Sequence, residues 1–316
     1  KKYNIKNNFH GYGGKSYKCI NFKNNFYLIW IDQMTKAVWF KIFKEVALNY
    51  RSQNKYLDSI QESRQLSKST NGNFDSSFVI SKNFLYGICE ISKRDYLFSL
   101  NLKKTKQDIH RIKKFNNFAG ELSSNTSASL LSWLEWDTPY MPWEKNDLFF
   151  AQIDLEGEIK KIKKFSNKLI NTEKNVSFFQ PYWISEKILV CSEDSSGWWN
   201  LLFLDVSDIE DIFIKKRVER NLIEYGVPQW VSGITKFSGT IKNLFCVAKK
   251  ENSLIVEQYK DLRLVKEFST PFTSISEFSV FRNKVLLKGY GSDFLGIVVE
   301  IDFAEKVLSN FSEQIY

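Results

Sequence analysis

Residues 25–43 read NFYLIWIDQMTKAVWFKIF: two runs rich in aromatic and β-branched residues, separated by a short polar reversal. That composition describes a β-hairpin. The same unit recurs at 83–102 (NFLYGICEISKRDYLFSLNL), 130–155 (LLSWLEWDTPYMPWEKNDLFFAQIDL), 187–206 (KILVCSEDSSGWWNLLFLDV), 243–259 (NLFCVAKKENSLIVEQY) and 284–303 (KVLLKGYGSDFLGIVVEIDF). Aligned at the start of each second strand, the equivalent positions are Val38, Tyr96, Leu148, Leu201, Leu254 and Phe294, between 40 and 58 residues apart. This is the period of one four-stranded propeller blade. A blade cannot bury both of its own faces, so repeats of this kind must stack on one another. The sequence predicts an all-β fold, a β-propeller of four-stranded antiparallel blades with six blade units visible.

Each hairpin needs a strand before it to line the central channel, and candidates fall at 15–22, 74–80, 122–128, 178–183, 228–235 and 275–280. The turns Ser92-Lys93-Arg94-Asp95, Asp194-Ser195-Ser196-Gly197 and Tyr290-Gly291-Ser292-Asp293 carry residues suited to tight reversals. Two stretches depart from the pattern. Residues 44–73 are long and polar, and are expected to hold an outer strand, a loop and a short helix at 56–65. The third hairpin carries an insertion at 136–144, with three large aromatics and two of the five prolines of the chain. Prolines and aromatics together describe a self-packed loop. No Ser/Gly-rich linker interrupts the chain, so residues 1–316 are expected to form one propeller domain.

A chain of 316 residues with 43% hydrophobic content can bury an ample core, and 16% aromatics suit packing between twisted sheets. The net charge of +9 raises the question of nucleic acid. Its basic clusters, Arg111 to Lys114, Lys160 to Lys164 and Lys215 to Arg217, each follow a hairpin at the distance where the outermost strand of a blade should run. Lysine there blunts an open sheet edge against aggregation. Scattered around a rim, such clusters do not make the single basic stripe that nucleic acid requires. No apolar run approaches membrane-spanning length, so neither nucleic acid nor membrane is an expected partner. The N-terminus has no signal-peptide core and no initiator Met, which suggests a piece of a longer polypeptide. Cys19, Cys89, Cys191 and Cys246 form no CxxC pair and have no His at ligand spacing, so metal and cofactor are both expected to be none. Four reduced, packing cysteines fit a cytoplasmic location.

Several segments together carry a resemblance. They are His10-Gly11-Tyr12-Gly13-Gly14, the run from Leu131 through Trp136-Asp137-Thr138-Pro139-Tyr140-Met141-Pro142-Trp143, Phe179-Gln180-Pro181-Tyr182-Trp183, Ser196-Gly197-Trp198-Trp199-Asn200-Leu201, and Tyr225-Gly226-Val227-Pro228-Gln229-Trp230. In this order the chain resembles the N-terminal β-propeller domain of the prolyl oligopeptidase family of serine peptidases, in its bacterial acylaminoacyl-peptidase and dipeptidyl-aminopeptidase-like branch. The Trp-Asp-x-Pro-x-Met-Pro-Trp run is the most specific piece. Gly11 stands where the family usually has an acidic residue. The resemblance implies a seven-bladed parent, whose seventh blade is expected either before Lys1 or as an incomplete one, and a catalytic α/β-hydrolase domain following residue 316. It also implies a substrate-gating and docking role toward that hydrolase domain, with short or N-terminally blocked peptides as substrates.

This chain itself holds no Gly-x-Ser-x-Gly nucleophile elbow, and its only histidines are His10 and His110. No catalytic residue is therefore expected within it. Substrate-facing or interdomain candidates are His10, Tyr12, Glu135, Trp136, Asp137, Tyr140 and Trp143. Against each stands a structural reading: a hydrogen bond for His10, a pinned hairpin loop for the aromatics, solvation for the carboxylates. Trp198 and Trp199 straddle a turn, so at least one should be buried. Asp95, Asp147, Asn200 and Asp293 occupy one position in four units, as turn caps would. The alternative to a gate is a stand-alone propeller that binds proteins and has lost its hydrolase half. A propeller with chemistry of its own in the channel is disfavoured, because no His/carboxylate cluster appears at metal spacing.

Overall fold

In the computed structural model, residues 3–47, 55–59, 62–170, 175–293 and 296–310 are described. They form six antiparallel sheets in chain order, the blades of a β-propeller. Blade 1 comprises Tyr17–Phe22, Asn25–Asp32, Ala37–Ala47 and Lys55–Ser59, with Arg64–Gln65 added beside the third strand. Blade 2 comprises Asn73–Phe74 and Val79–Ser81 as a broken first strand, then Phe84–Ile91, Arg94–Asn101 and His110–Lys114. Blade 3 runs through Phe118–Ser124, Leu130–Trp136, Asp147–Ile153 and Ile159–Lys164. Blade 4 is Phe178–Trp183, Ile188–Glu193, Asn200–Asp205 and Phe213–Val218. Blade 5 begins with Ile223–Glu224 and Phe237–Thr240 and continues through Asn243–Lys250, Ser253–Lys260 and Arg263–Ser269. Blade 6 is Ser274–Phe281, Lys284–Tyr290, Ile297–Asp302 and Val307–Asn310.

By packing the chain divides into two compact units, each with its own cores. The first contains Lys1–Pro139, Phe149–Ile162 and Trp230–Gly233. Its blades show why the hairpins are apolar on both faces. In blade 2, Leu85, Cys89, Phe98 and Leu100 pack with Ile29, Ile31, Val38 and Phe40 of blade 1. Their neighbours in sequence, Tyr86, Ile88 and Leu97, point the other way and pack with Ala119, Leu131, Trp133 and Ala151 of blade 3. Period-two alternation thus sends successive side chains into two different interfaces. The second unit, Tyr140–Leu148, Lys163–Gln229 and Ile234–Tyr316, repeats the device in blade 5. There Leu244, Cys246 and Ala248 pack with Val190, Leu201 and Phe203, while Phe245 and Val247 pack with Val285, Leu287, Val299 and Ile301. Each large apolar side chain so buried contributes about 1.5–3 kcal/mol.

The hairpin turns follow the expected chemistry. Ser92 and Lys93 both adopt positive φ, 52° and 59°, the conformation of the two-residue turn whose twist matches the flanking strands. The three basic clusters lie on the fourth strands of blades 2, 3 and 4, as anticipated. Their charges find carboxylates there: Lys113 with Glu135, Lys160 with Asp154, Lys164 with Asp147, and Arg217 with Glu193. Cys89, Cys191 and Cys246 are buried free thiols on second strands, and Cys19 is exposed.

Three expectations are corrected. Within the expected helix at 56–65, Lys55–Ser59 and Arg64–Gln65 are instead strands paired with Ala37–Ala47 at the edge of blade 1, and residues 60–61 lie outside the described residues. The first strand of blade 3 is Phe118–Ser124, not 122–128, because the chain turns at Asn125, whose side-chain oxygen accepts the Ser129 and Leu130 amides. Residues 228–235 are not a strand. Trp230–Gly233 belongs to the first unit, where Ser232 bridges Gly14, and the first-strand position of blade 5 passes to Phe237–Thr240. Phe294, the sixth alignment position, lies outside the described residues.

Trp133 is fully buried in the blade 2–blade 3 core. Replacing it with Ala should lower stability by about 3–5 kcal/mol, since the site is too crowded to collapse around the missing ring. A denaturant unfolding curve for Trp133→Ala against the parent chain measures this loss.

Candidate functional site

The motif His10-Gly11-Tyr12-Gly13-Gly14 folds as a tight strap before blade 1. Four of its five residues have positive φ: His10 50°, Gly11 79°, Gly13 81° and Gly14 134°. The last two glycines are required by space as well. A Cβ on Gly13 would sit 2.7 Å from the Asn7 carbonyl oxygen, and one on Gly14 would sit 2.4 Å from that of Ser232. Asn7 closes the strap, donating from Nδ2 to the Lys15 carbonyl and accepting the Phe9 amide on Oδ1, both at 2.8 Å.

The unusual conformation at His10 aims its ring inward. The ring stacks on Phe9 at 3.8 Å and meets the edges of Phe118 and Trp136 at 5.1 and 5.6 Å, while Trp136 stacks on Phe118 at 5.9 Å. His10 Nε2 lies 2.7 Å from Asp95 Oδ2, which also accepts the Ala119 amide at 2.8 Å. Burial pushes the Asp95 carboxyl above its ordinary range, and the His10 contact and the Ala119 hydrogen bond pull against that rise. Asp95 is thus not a cap of its own turn. It ties blade 2 to blade 3 and to the N-terminal strap, a role visible only once the strands are paired. Asn200 does both: its Nδ2 donates to Ser196 Oγ in its own turn and its Oδ1 accepts the Arg220 amide, whereas Asp147 pairs with Lys164.

Of the other sequence candidates, the structure brings Trp136 to His10 and scatters the rest. Tyr12 is 61% exposed and meets Trp230, 55% exposed, edge to face at 6.4 Å. Trp230 was not singled out among the site residues in the sequence. Its segment is held by Lys15 N–H donating to the Ser232 carbonyl and Ser232 N–H donating to that of Gly13. Glu135 is engaged internally, accepting from Lys113 Nζ and from Trp133 Nε1, each at 2.7 Å. Asp137 is exposed and accepts from Asn117 Nδ2.

Tyr140 and Trp143 belong to the second unit, where the inserted loop is well anchored. Buried Asn146 donates to the carbonyls of Pro142 and Phe178 and accepts the Phe178 amide, while Ser177 Oγ donates to the Pro142 carbonyl at 2.6 Å. Glu144 folds back to accept the Met141 amide, and the Lys145 ammonium lies over the exposed Tyr140 ring at 5.0 Å. The loop is a pinned one, and the pins Asn146 and Ser177 carried no distinguishing signal in the sequence. Trp198 and Trp199 are both only half-buried. The Trp199 ring packs so close to Gly226 that a Cβ there would come within 2.7 Å.

A further feature appears on the innermost strand of blade 3. Its register shifts between Gly120 and Ser123, and Glu121 takes φ 59°. Blade 4 has the same bulge between Phe179 and Tyr182, with Gln180 at φ 52°. Gln180 is fully used: Oε1 accepts the Lys236 and Phe237 amides and Nε2 donates to the Phe237 carbonyl. Glu121 Oε1 accepts only the Gly233 amide, at 3.3 Å. Burial, followed by the nearby Asp75 charge, raises its carboxyl from the ordinary 4.5 to about 7.

Two outcomes follow. Asp95→Ala strands the buried Ala119 amide and the His10 ring, and should cost about 1–3 kcal/mol, read as a lowered thermal midpoint. Because Glu121 binds its proton more tightly folded than unfolded, its contribution to stability falls as pH rises from 4.5 toward 7. Glu121→Gln should therefore melt above the parent chain at pH 8, and the gap should close below pH 4.5. Thermal melts across that range measure it.

No family model matches the chain, and no curated protein matches it. Solved structures do. A Mycobacterium tuberculosis puromycin-hydrolysing peptidase superposes with a TM-score of 0.75 at 18% identity, covering 98% of this chain and 47% of its own. Puromycin hydrolase gives 0.75 at 16% identity with the same coverage. Prolyl oligopeptidase B from Galerina marginata gives 0.59 at 10% identity, covering 94% of this chain and 42% of its own. The chain thus spans less than half the length of each of these proteins. Among the described residues no helix is long and apolar enough to cross a membrane. At these identities the likeness establishes architecture, and on that basis the chain has the β-propeller fold that puromycin-hydrolysing peptidase and prolyl oligopeptidase B share.

Proposed function

We propose that this chain is the propeller of a cytoplasmic serine peptidase of the prolyl oligopeptidase family, and that it acts as gate and docking surface for a hydrolase domain on the same polypeptide. The observation that carries this reading is the asymmetry of coverage: 98% of this chain matches, yet only 47% of the puromycin-hydrolysing peptidase is matched. The motif series from His10 to Trp230 supports it, as does the lack of any nucleophile elbow within the 316 residues. On this reading the propeller contributes no reacting group. It discriminates by size and orientation, admitting short peptides and excluding folded protein.

The candidate residues then divide by what holds them. Tyr12 with Trp230 presents an exposed aromatic pair suited to burial against a second domain. His10 and Trp136, in contact with each other, are the remaining aromatic candidates of this unit. Asp137 and Tyr140 stand exposed on the inserted loop, and on this reading they and Trp143 are the loop's candidates for meeting substrate. Glu135 serves as an internal tie, since Lys113 and Trp133 already occupy its carboxylate.

The test is to express the full native reading frame, measure its intact mass and treat it with a fluorophosphonate serine probe. A labelled species about twice the 37.2 kDa of this chain is the expected result. A polypeptide of this chain's mass that does not label overturns the peptidase reading and leaves a stand-alone binding propeller.

A further inference from the structure

The segment that leads from blade 1 into blade 2 leaves a groove of about 390 Å³ against blade 2, within the first unit. Backbone contacts fix its shape. Ser67 bridges Gln107, Lys68 N–H donates to the Gln107 carbonyl at 2.7 Å, and Gln107 N–H donates to that of Leu66 at 3.1 Å. The Gln107 side chain is itself tied down, accepting the Asn101 amide and donating to the Asn101 carbonyl. Further along the same segment, Gly72 passes so close to blade 2 that a Cβ would stand 2.4 Å from the Glu90 carbonyl oxygen. The groove is therefore part of the folded frame.

Its walls are rich in donors. Arg111, on the fourth strand of blade 2, lines the groove with its guanidinium 4.7 Å from the Tyr96 ring centroid. That contact covers a face of the planar group and leaves its N–H edges open. Among the described residues the Arg111 side chain meets no carboxylate and no hydrogen-bond acceptor. Arg217, the other arginine of the fourth-strand clusters, is by contrast held by Glu193 and Ser195. Lys68 Nζ lies 2.7 Å from Asp108, the one carboxylate among the described lining residues. Ser69, Asn71 and Ser92 add polar side chains that likewise have no partner among the described residues. Ile91 and Ile109 add half-buried apolar surface that also packs on the core between blades 1 and 2.

The donor set selects the ligand. A guanidinium fork held on a ring, an ammonium, two hydroxyls and an amide suit an anion with several oxygens and a double charge, and the two isoleucines suit an apolar body. A carboxylate, with two oxygens and one charge, would leave most of these donors unused. The volume is that of a small-molecule site. We propose that this groove binds a small phosphate monoester, with the phosphate on the Arg111 guanidinium and the organic body against Ile91 and Ile109. Ser69, Asn71 and Ser92 donate to the remaining phosphate oxygens. Asp108 opposes the anion, by its own charge and by engaging Lys68. The groove is built whether or not a hydrolase domain follows, so its ligand is a separate matter from the gate.

The experiment titrates the full chain at about pH 7.5 with phenyl phosphate, benzoate and inorganic phosphate, each followed by ligand NMR line width. Phenyl phosphate should bind about fivefold or more tightly than either of the others, since benzoate lacks the second charge and inorganic phosphate the apolar body. Arg111→Gln should weaken phenyl phosphate by about tenfold, the worth of one charged hydrogen bond. Asp108→Asn, which removes the opposing charge and frees Lys68, should tighten it about twofold or more. The three ligands on the unaltered chain test the proposal even where a variant folds poorly. Benzoate or inorganic phosphate binding as tightly as phenyl phosphate, or no measurable binding of any, overturns it. So does binding that Arg111→Gln leaves unmoved or that Asp108→Asn fails to tighten.

Discussion

Blades 2 and 5 of this protein are antiparallel sheets that are apolar on both faces, and that constraint governs the rest. A strand such as Arg94–Asn101 sends Leu97 toward one neighbouring blade and Phe98 toward the other, so no blade can leave water alone. Stacking is the solution that covers both faces at once. Because the interfaces are made of interleaved Phe, Leu, Ile and Val, the blades tolerate little change in volume. The open edges that remain fall on fourth strands, which carry the lysines that make the chain basic.

The innermost strands follow a different rule. There, backbone amides of neighbouring segments take side-chain partners in place of ladder bonds. Bulges at Glu121 and Gln180 answer this by turning a side chain sideways toward the next innermost segment. Asp75 and Ser77 do the same in blade 2, accepting the amides of Glu121 and Leu122. The strap at His10 to Gly14 belongs to this system: it uses glycine to pass close to Asn7 and Ser232, and it is pinned by His10 on Asp95. One set of devices therefore completes the inner wall and also sets the charges exposed on it.

The exposed features carry the proposed function. Tyr12 and Trp230, more than 200 residues apart in sequence, meet because Ser232 pairs beside Gly13 and Gly14. In the second unit Asn146 and Ser177 pin the inserted loop at Pro142, with Tyr140 exposed on it. A gate requires this combination of an ordered frame and exposed recognition groups.

The six blade units, the hairpins and the place of the basic clusters were legible in the sequence, because these depend on a period of two along a strand and on turn chemistry within a few residues. The sequence also marked His10, Tyr12 and Trp136 through a motif series. It misplaced the innermost strands at 122–128 and 228–235, where a bulge and an excursion shift the register without altering apolar content. Tertiary structure alone decided that Asp95 holds His10, that Glu135 is consumed by Lys113 and Trp133, and that Trp230 joins Tyr12. It alone separated Glu121 from Gln180, two bulge residues alike in backbone conformation and different in what they touch. The physical reason is the same in each case. A side chain's role is set by which strands lie beside it, and in a propeller those strands come from blades that are distant in sequence.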